Sequence, residues 1–312
     1  MSGISKKLIS VFIIIAFIIL SFGAWVFYKN NTADTVLETP EEGWYITQYG
    51  VSATGSQRMF YTLNDSEGHL IIIDGGWEAD AEEVKKVIAA AGGHVDAWII
   101  THPHPDHVGA FNAIMLEIMD TGSPDITIDK IYATPVNGER YNETANEWDE
   151  YIQYEKWVFV TQNMTNITYL NEYDTFSLFD LNFEVFNSWD EEVDEQDTNL
   201  CNRGSLMIKV SGSKDSFLFC GDVEEPLQET IISLFGDKLS STYVQCAHHG
   251  NWGLTTDFYE LVSPEAAFMD APVSVIDNTE GTFDGYILKD FLIEKGITVY
   301  QPENAPNRVI LK

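Results

Sequence analysis

Residues 101–107 read THPHPDH, placing His102, His104, Asp106 and His107 within six positions. In an extended segment residues i and i+2 project to the same side, so His102 and His104 can reach one cation. Pro103 and Pro105 stiffen the stretch, and Pro105 bends it, which sends Asp106 and His107 to a neighbouring point. Imidazole together with carboxylate suits Zn2+, Mn2+ or Fe. A second cation needs further ligands from elsewhere in the chain, one of them bridging.

Those ligands stand where apolar runs stop. HLIIIDGG is a buried strand ending at Asp74, and DAWIITHPHPDH is another that runs into the histidines. SFLFCGD ends at Asp222, and TYVQCAHHG ends at His248 and His249. Converging strand ends are where α/β folds build their sites. Around them, WYITQYGV, MFYTL, ITIDKIYAT, ITVYQ and RVILK read as strands, and LMIKVSG with SFLFCGD as a hairpin. ADAEEVKKVIAAAGG, VGAFNAIMLEIMD, NETANEWDEYIQYEKWVFVTQ, EPLQETIISLFG and YILKDFLIEKG read as helices. Mixed strands and helices without repeats predict one α/β domain over residues 43–312.

Other chemistry-bearing residues have plainer readings. Cys201, Cys220 and Cys246 are an odd number and read as small buried thiols. His69 and His94 lie beside glycines in expected turns, facing solvent. Trp148, Tyr151, Tyr154 and Trp157 can cage a quaternary ammonium, but aromatics at helical spacing belong more often to a core. The run DEEVDEQDTN can bind Ca2+, although charge runs are usually solvated.

The chain has 312 residues, 45% of them hydrophobic, ample for a packed core. Residues 8–28 are uncharged and mostly apolar, and as a helix they would span roughly 30 Å, the thickness of a bilayer core. Lys6 and Lys7 precede this run and acids follow it, so positive-inside logic predicts a single-pass anchor over residues 1–29 with the remainder outside the cell. A cleaved signal would instead make the protein secreted, but the bulky AWVFYKN offers no small-x-small cleavage pattern. Polar residues 30–42 read as a stalk. The net charge is −32, and residues 1–29 hold three lysines and no acid, so the remainder carries −35. Such a surface repels polyanions and disfavours non-specific nucleic-acid binding.

THPHPDH matches the HxHxDH motif of the metallo-β-lactamase superfamily, and IIIDGG, LFCGD and AHHG follow the order of its other motifs. The resemblance covers residues 43 to about 275. The combination NRGSLMIKV, FLFCGD and AHHGNWG further resembles the hydrolase domain of the bacterial competence DNA-uptake channels and its free-standing relatives. It implies an αβ/βα sandwich, here preceded by one transmembrane helix, with a two-metal groove at its edge. By that resemblance His102 and His104 bind the first cation, Asp106, His107 and His248 bind the second, and Asp222 bridges them. Asp74 orients a ligand, and His249 donates to a substrate oxygen. The superfamily usually supplies another histidine to the first cation, yet none occurs between Val108 and Ala247. Asn202 to Ser205 fills that interval, so Asn202 either ligates, contacts substrate or leaves the place to water, and the enzyme uses two Zn2+ ions or one.

The expected function is an exported, anchored metal-dependent hydrolase of phosphoester or phosphodiester bonds. An activated hydroxide attacks, Asp106 orients it, and Asn202, Ser205 and His249 hold the substrate, with Arg203 a candidate for positive charge. A small or wall-associated phosphoester fits the acidic domain better than a nucleic acid, and choline-type esters stay open. Lactam and lactone hydrolases usually keep the middle histidine, and the di-iron oxygen reductases have Glu where His104 stands. The alternatives are a hydrolase of another ester, lactone or lactam and, from another class, a non-catalytic surface binding module on the same scaffold.

Overall fold

The computed structural model describes residues 37–122, 125–303 and 305–312. The anchor expected over residues 1–29, and the stalk as far as residue 36, lie outside the described residues. No helix among the described residues is long and apolar enough to cross a membrane. The compact unit runs from Glu38 to Lys312. It includes the last stalk positions, since the Glu38 carbonyl accepts a hydrogen bond from Asn64 Nδ2 at 2.8 Å.

Two seven-stranded sheets form the centre. The first comprises β1 (Trp44–Gln48), β2 (Phe60–Asn64), β3 (Leu70–Asp74), β4 (His94–Ile100), β5 (Thr127–Ala133), β6 (Ile167–Tyr169) and β14 (Asn307–Leu311), in the order β14-β1-β2-β3-β4-β5-β6. The second comprises β7 (Thr175–Leu178), β8 (Leu181–Asn187), β9 (Met207–Ser211), β10 (Ser216–Phe219), β11 (Tyr243–Gln245), β12 (Ala266–Phe268) and β13 (Thr298–Tyr300), in the order β13-β12-β11-β10-β9-β8-β7. Each sheet joins an antiparallel part to a parallel part: β3 to β6 run parallel in the first, and β10 to β13 in the second.

Side-chain alternation decides the layering. Ile46, Leu63, Ile71, Ile73 and Ile99 of the first sheet meet Val185, Ile208, Val210, Phe217, Phe219 and Phe268 of the second. Met207 and Leu218, one residue out of phase, face outward onto Ile231, Phe235, Phe258 and Leu292. On the outer side of the first sheet Trp98 packs on Phe111, and Phe111 on Trp157. Helices therefore cover both outer faces, and the αβ/βα sandwich expected from the motifs is the architecture found. β3 is apolar almost throughout because it is buried on both sides.

Two elements differ from their sequence readings. The single aromatic helix expected over residues 142–162 is broken into Gly138–Thr144, a 3-10 turn at Glu147–Asp149, and Ile152–Thr161. The Asp149 carboxylate accepts from the Asn146 backbone N–H, and Glu150 takes a left-handed φ of 43°, which stops a continuous helix. The aromatics do not make a cage: Trp157 is core, Tyr151 and Tyr154 pack on Tyr141, and Trp148 faces solvent. The acidic run forms the short helix Glu191–Asp194, whose Asp194 accepts from Trp189 Nε1 and Asn137 Nδ2.

Candidate metal centre

The site lies where β3, β4, β10 and β11 end. Pro105 occupies the first turn of the helix Pro105–Thr121, where its missing N–H costs no hydrogen bond. That start divides THPHPDH: His102 and His104 stay extended, while Asp106 and His107 ride on the first helical turn. The helix approaches the segment before Glu78 closely. A Cβ on Gly109 would lie 2.4 Å from the Glu78 nitrogen and 2.8 Å from the Trp77 carbonyl carbon, so this position requires glycine.

His102, His104 and Cys201 form one buried group, with ligand atoms within 4.8 Å of one another. His102 Nδ1 faces Thr101 Oγ1 at 3.1 Å. That hydroxyl already donates to Asp74 Oδ2 at 2.6 Å, so His102 carries its proton on Nδ1 and turns the Nε2 lone pair to the site. His104 Nε2 faces Asp149 Oδ1 at 3.0 Å, which leaves Nδ1 as its ligand atom.

Asp106, His107 and His249 form the second group. His107 Nδ1 stands 2.7 Å from Asp74 Oδ2, so Asp74 is the carboxylate that orients this ring, in the place expected for it. His249 Nε2 lies 3.1 Å from Asp106 Oδ2 and 3.2 Å from His107 Nε2. Asp222 reaches both groups: its carboxylate oxygens stand 3.3 Å from His107 Nε2, 3.3 Å from His249 Nε2 and 3.8 Å from His102 Nε2.

Three assignments need correction. His248 was expected as the ligand and His249 as the substrate donor, but it is His249 whose ring groups with Asp106 and His107. His248 and His249 both take left-handed backbone angles, φ 53° and 59°, and this turn points the second ring inward. His248 sits at the rim with Nδ1 2.6 Å from the Asn251 carbonyl and Nε2 3.9 Å from Asp222. Ser205 was expected to hold substrate. It is fully buried, and its Oγ accepts from the Asp222 backbone N–H at 3.2 Å, so it positions the bridging residue instead. Arg203 pairs with Glu224 at 3.0 Å, which neutralises the charge expected to face substrate. Asn202 does border the site: its Nδ2 faces Glu224 and His248, both at 3.2 Å, and its buried Oδ1 has no hydrogen-bond partner among the described residues.

Sequence reading missed Asp149 and Cys201. Neither carries a local signal: Asp149 lies 45 residues from His104, and Cys201 stands alone on a four-residue helix just before Asn202.

The electrostatics fit a cation. Burial holds the His102 imidazole well below its usual range, so it is neutral and can donate its lone pair. Burial alone would raise Asp222 and Asp106. His107 and His249 outweigh it, holding Asp222 well below the usual carboxylate range and Asp106 at about 2. Burial would likewise depress His249, yet Asp222 and Asp106 carry it up to about 10. Protons therefore supply the positive charge these buried carboxylates demand, and divalent cations can replace them. His102 Nε2, wholly buried, has no hydrogen-bond partner among the described residues, as a ligand atom awaiting metal would not.

The sequence profile described as "Metallo-beta-lactamase superfamily" matches residues 55–257. The fold is similar to that of a metallo-beta-lactamase fold protein, YhfI from Bacillus subtilis. The TM-score is 0.52 at 10% identity, over 86% of this chain and all of that one. It is also similar to CmlA, a diiron beta-hydroxylase from Streptomyces venezuelae, with a TM-score of 0.51 at 13% identity, over 88% of this chain and 55% of that one. No curated protein matches the sequence.

Proposed function

The chain belongs to the metallo-beta-lactamase superfamily, and on that premise we propose that it is an exported, membrane-anchored, metal-dependent hydrolase of phosphoester or phosphodiester bonds. The observation that carries the reading is Asp222, a carboxylate set between two buried histidine groups. His102 and His104 would hold one cation, Asp106, His107 and His249 a second, and Asp222 would serve both. Bound there, divalent cations supply Lewis acidity and make a water nucleophilic near neutral pH.

The protein's own residues do the positioning. Asp74 and Asp149 fix the tautomers of His107 and His104, and Ser205 holds the Asp222 backbone. His248 is the group at the rim that can pass a proton to a leaving oxygen. Its Nδ1 is tied to the Asn251 carbonyl, so Nε2 is the atom that takes and returns the proton. Asn202 Oδ1, unpartnered and buried beside it, can accept a hydrogen bond from substrate.

A small or wall-associated phosphoester is favoured over a nucleic acid. Arg203 is already paired with Glu224, and a net charge of −32 repels a long polyanion. The phosphoester choice itself is supported by the likeness of NRGSLMIKV, FLFCGD and AHHGNWG to the competence-type hydrolases, and the anchor by the apolar run at residues 8–28.

The test is turnover by the full chain in detergent. The substrates are bis-p-nitrophenyl phosphate, p-nitrophenylphosphorylcholine, a lactone and a lactam, with His104→Ala alongside. Hydrolysis of a phosphodiester that is lost with chelator and in the variant is expected. Turnover of the lactam or lactone alone overturns the phosphoester reading, and bound metal with no turnover of any substrate favours a binding module. Recovery of the native chain in the soluble rather than the membrane fraction overturns the anchor.

A further inference from the structure

We infer that Cys201, as a thiolate, is the third protein ligand of the first cation and makes that site thiophilic. The inference rests on the two-cation reading above, and deepens it by assigning the place that a histidine usually fills.

The geometry converges on the sulfur. Cys201 is 1% exposed and shares its group with His102 and His104, all within 4.8 Å. Each imidazole has one nitrogen committed elsewhere, His102 Nδ1 to Thr101 and His104 Nε2 to Asp149. The ring nitrogens that remain are His102 Nε2, which has no hydrogen-bond partner among the described residues, and His104 Nδ1. One imidazole nitrogen from each histidine and a sulfur on one buried point form a donor set suited to Zn2+. The Tyr141 hydroxyl lies against Cys201 and also reaches the Asp149 carbonyl at 3.4 Å, so the sulfur and the His104 partner are held by one phenol.

Cys220 and Cys246 serve as internal controls. Both are wholly buried among apolar side chains, and burial pushes both thiols up. Among the described residues neither joins a group of metal-ligating side chains. The second site offers two imidazoles and carboxylate oxygen, a harder set that also suits Mn2+ or Fe. Each site would thus carry one anion of its own, a soft sulfur at the first and a hard carboxylate oxygen at the second.

The deciding measurement is X-ray absorption at the zinc edge on the zinc-loaded full chain. A Zn–S shell at about 2.3 Å beside Zn–N/O shells at about 2.0–2.2 Å is expected. Cobalt loading should give a sulfur-to-cobalt charge-transfer band in the near ultraviolet. Both signatures persist in Cys220→Ala/Cys246→Ala and vanish in Cys201→Ser, which also loses one equivalent of zinc. Wild-type protein takes two equivalents of Zn2+ but one of Mn2+. Metal and turnover without a sulfur shell overturn the Cys201 assignment and leave the hydrolase reading standing, whereas two equivalents of Mn2+ overturn the thiophilic preference. A chain that binds no metal overturns both readings. If Cys201→Ser does not fold, the wild-type spectra and the double variant still decide the matter.

Discussion

Asp149 touches His104 across 45 residues of chain and would fix which ring nitrogen faces a cation. Removing its charge while keeping its shape should loosen that choice. Asp149→Asn is expected to weaken metal affinity by roughly 10- to 100-fold, read by competition with a chromophoric chelator, and unchanged affinity would show the contact to be incidental. The adjacent histidines separate more sharply. His249→Ala should lose the second equivalent of metal, because its ring stands 3.1 Å from Asp106 and 3.3 Å from Asp222. His248→Ala should keep both equivalents and lose turnover, with the loss falling on kcat. The reverse pattern would restore His248 as ligand. The HxHxDH residues were legible because coordination fixes donor type and spacing together. The choice between His248 and His249 was not, because it depends on two consecutive left-handed residues after β11. Cys201 and Asp149 sit on a four-residue helix and a 3-10 turn, whose places are set by packing and not by periodicity.

Elements supply the positions that residues exploit. Pro105–Thr121 carries Asp106 and His107 on its first turn, and Gly109 sets how closely that turn approaches Trp77 and Glu78. Gly109→Ala should therefore cost about 1–3 kcal/mol of stability by overpacking, measured by denaturant unfolding. It should also weaken the second cation more than the first, because the helix bears the second group. Equal weakening of both would mean that the shift spreads beyond the helix. Most elements were legible for a simple reason: Ile208 and Val210 alternate with Met207, and Phe217 and Phe219 with Leu218, so each strand announced its two faces. The break at residues 145–151 was hidden, because its aromatics keep helical spacing while the Asn146–Asp149 contact stops the helix. The placement of β14 was hidden as well, since its pairing of Leu311 with Trp44 joins segments at opposite ends of the sequence.

At the scale of the molecule the proposed ligands come from both halves of the sandwich. His102, His104, Asp106 and His107 follow β4 of the first sheet, whereas Asp222 and His249 follow β10 and β11 of the second. Metal bound there would join the two sheets and should stabilise the native state by mass action, about 4 kcal/mol per site at a thousandfold excess over Kd. Chelation should accordingly lower Tm by several degrees, leaving protonated His107 and His249 as the partners of Asp106 and Asp222. A Tm indifferent to chelator would place the cations outside the cooperative unit. The same division makes the protein separable. A cut in the Asn171–Asp174 turn, between β6 and β7, would leave one fragment with the HxHxDH residues and the other with Cys201, Asp222 and His249. The second fragment also owns β14, which it would have to lend to the first fragment's sheet. Coexpressed, the pair should associate through the shared core and hold more tightly in Zn2+ than in chelator, so that the strength of complementation reports the ion itself.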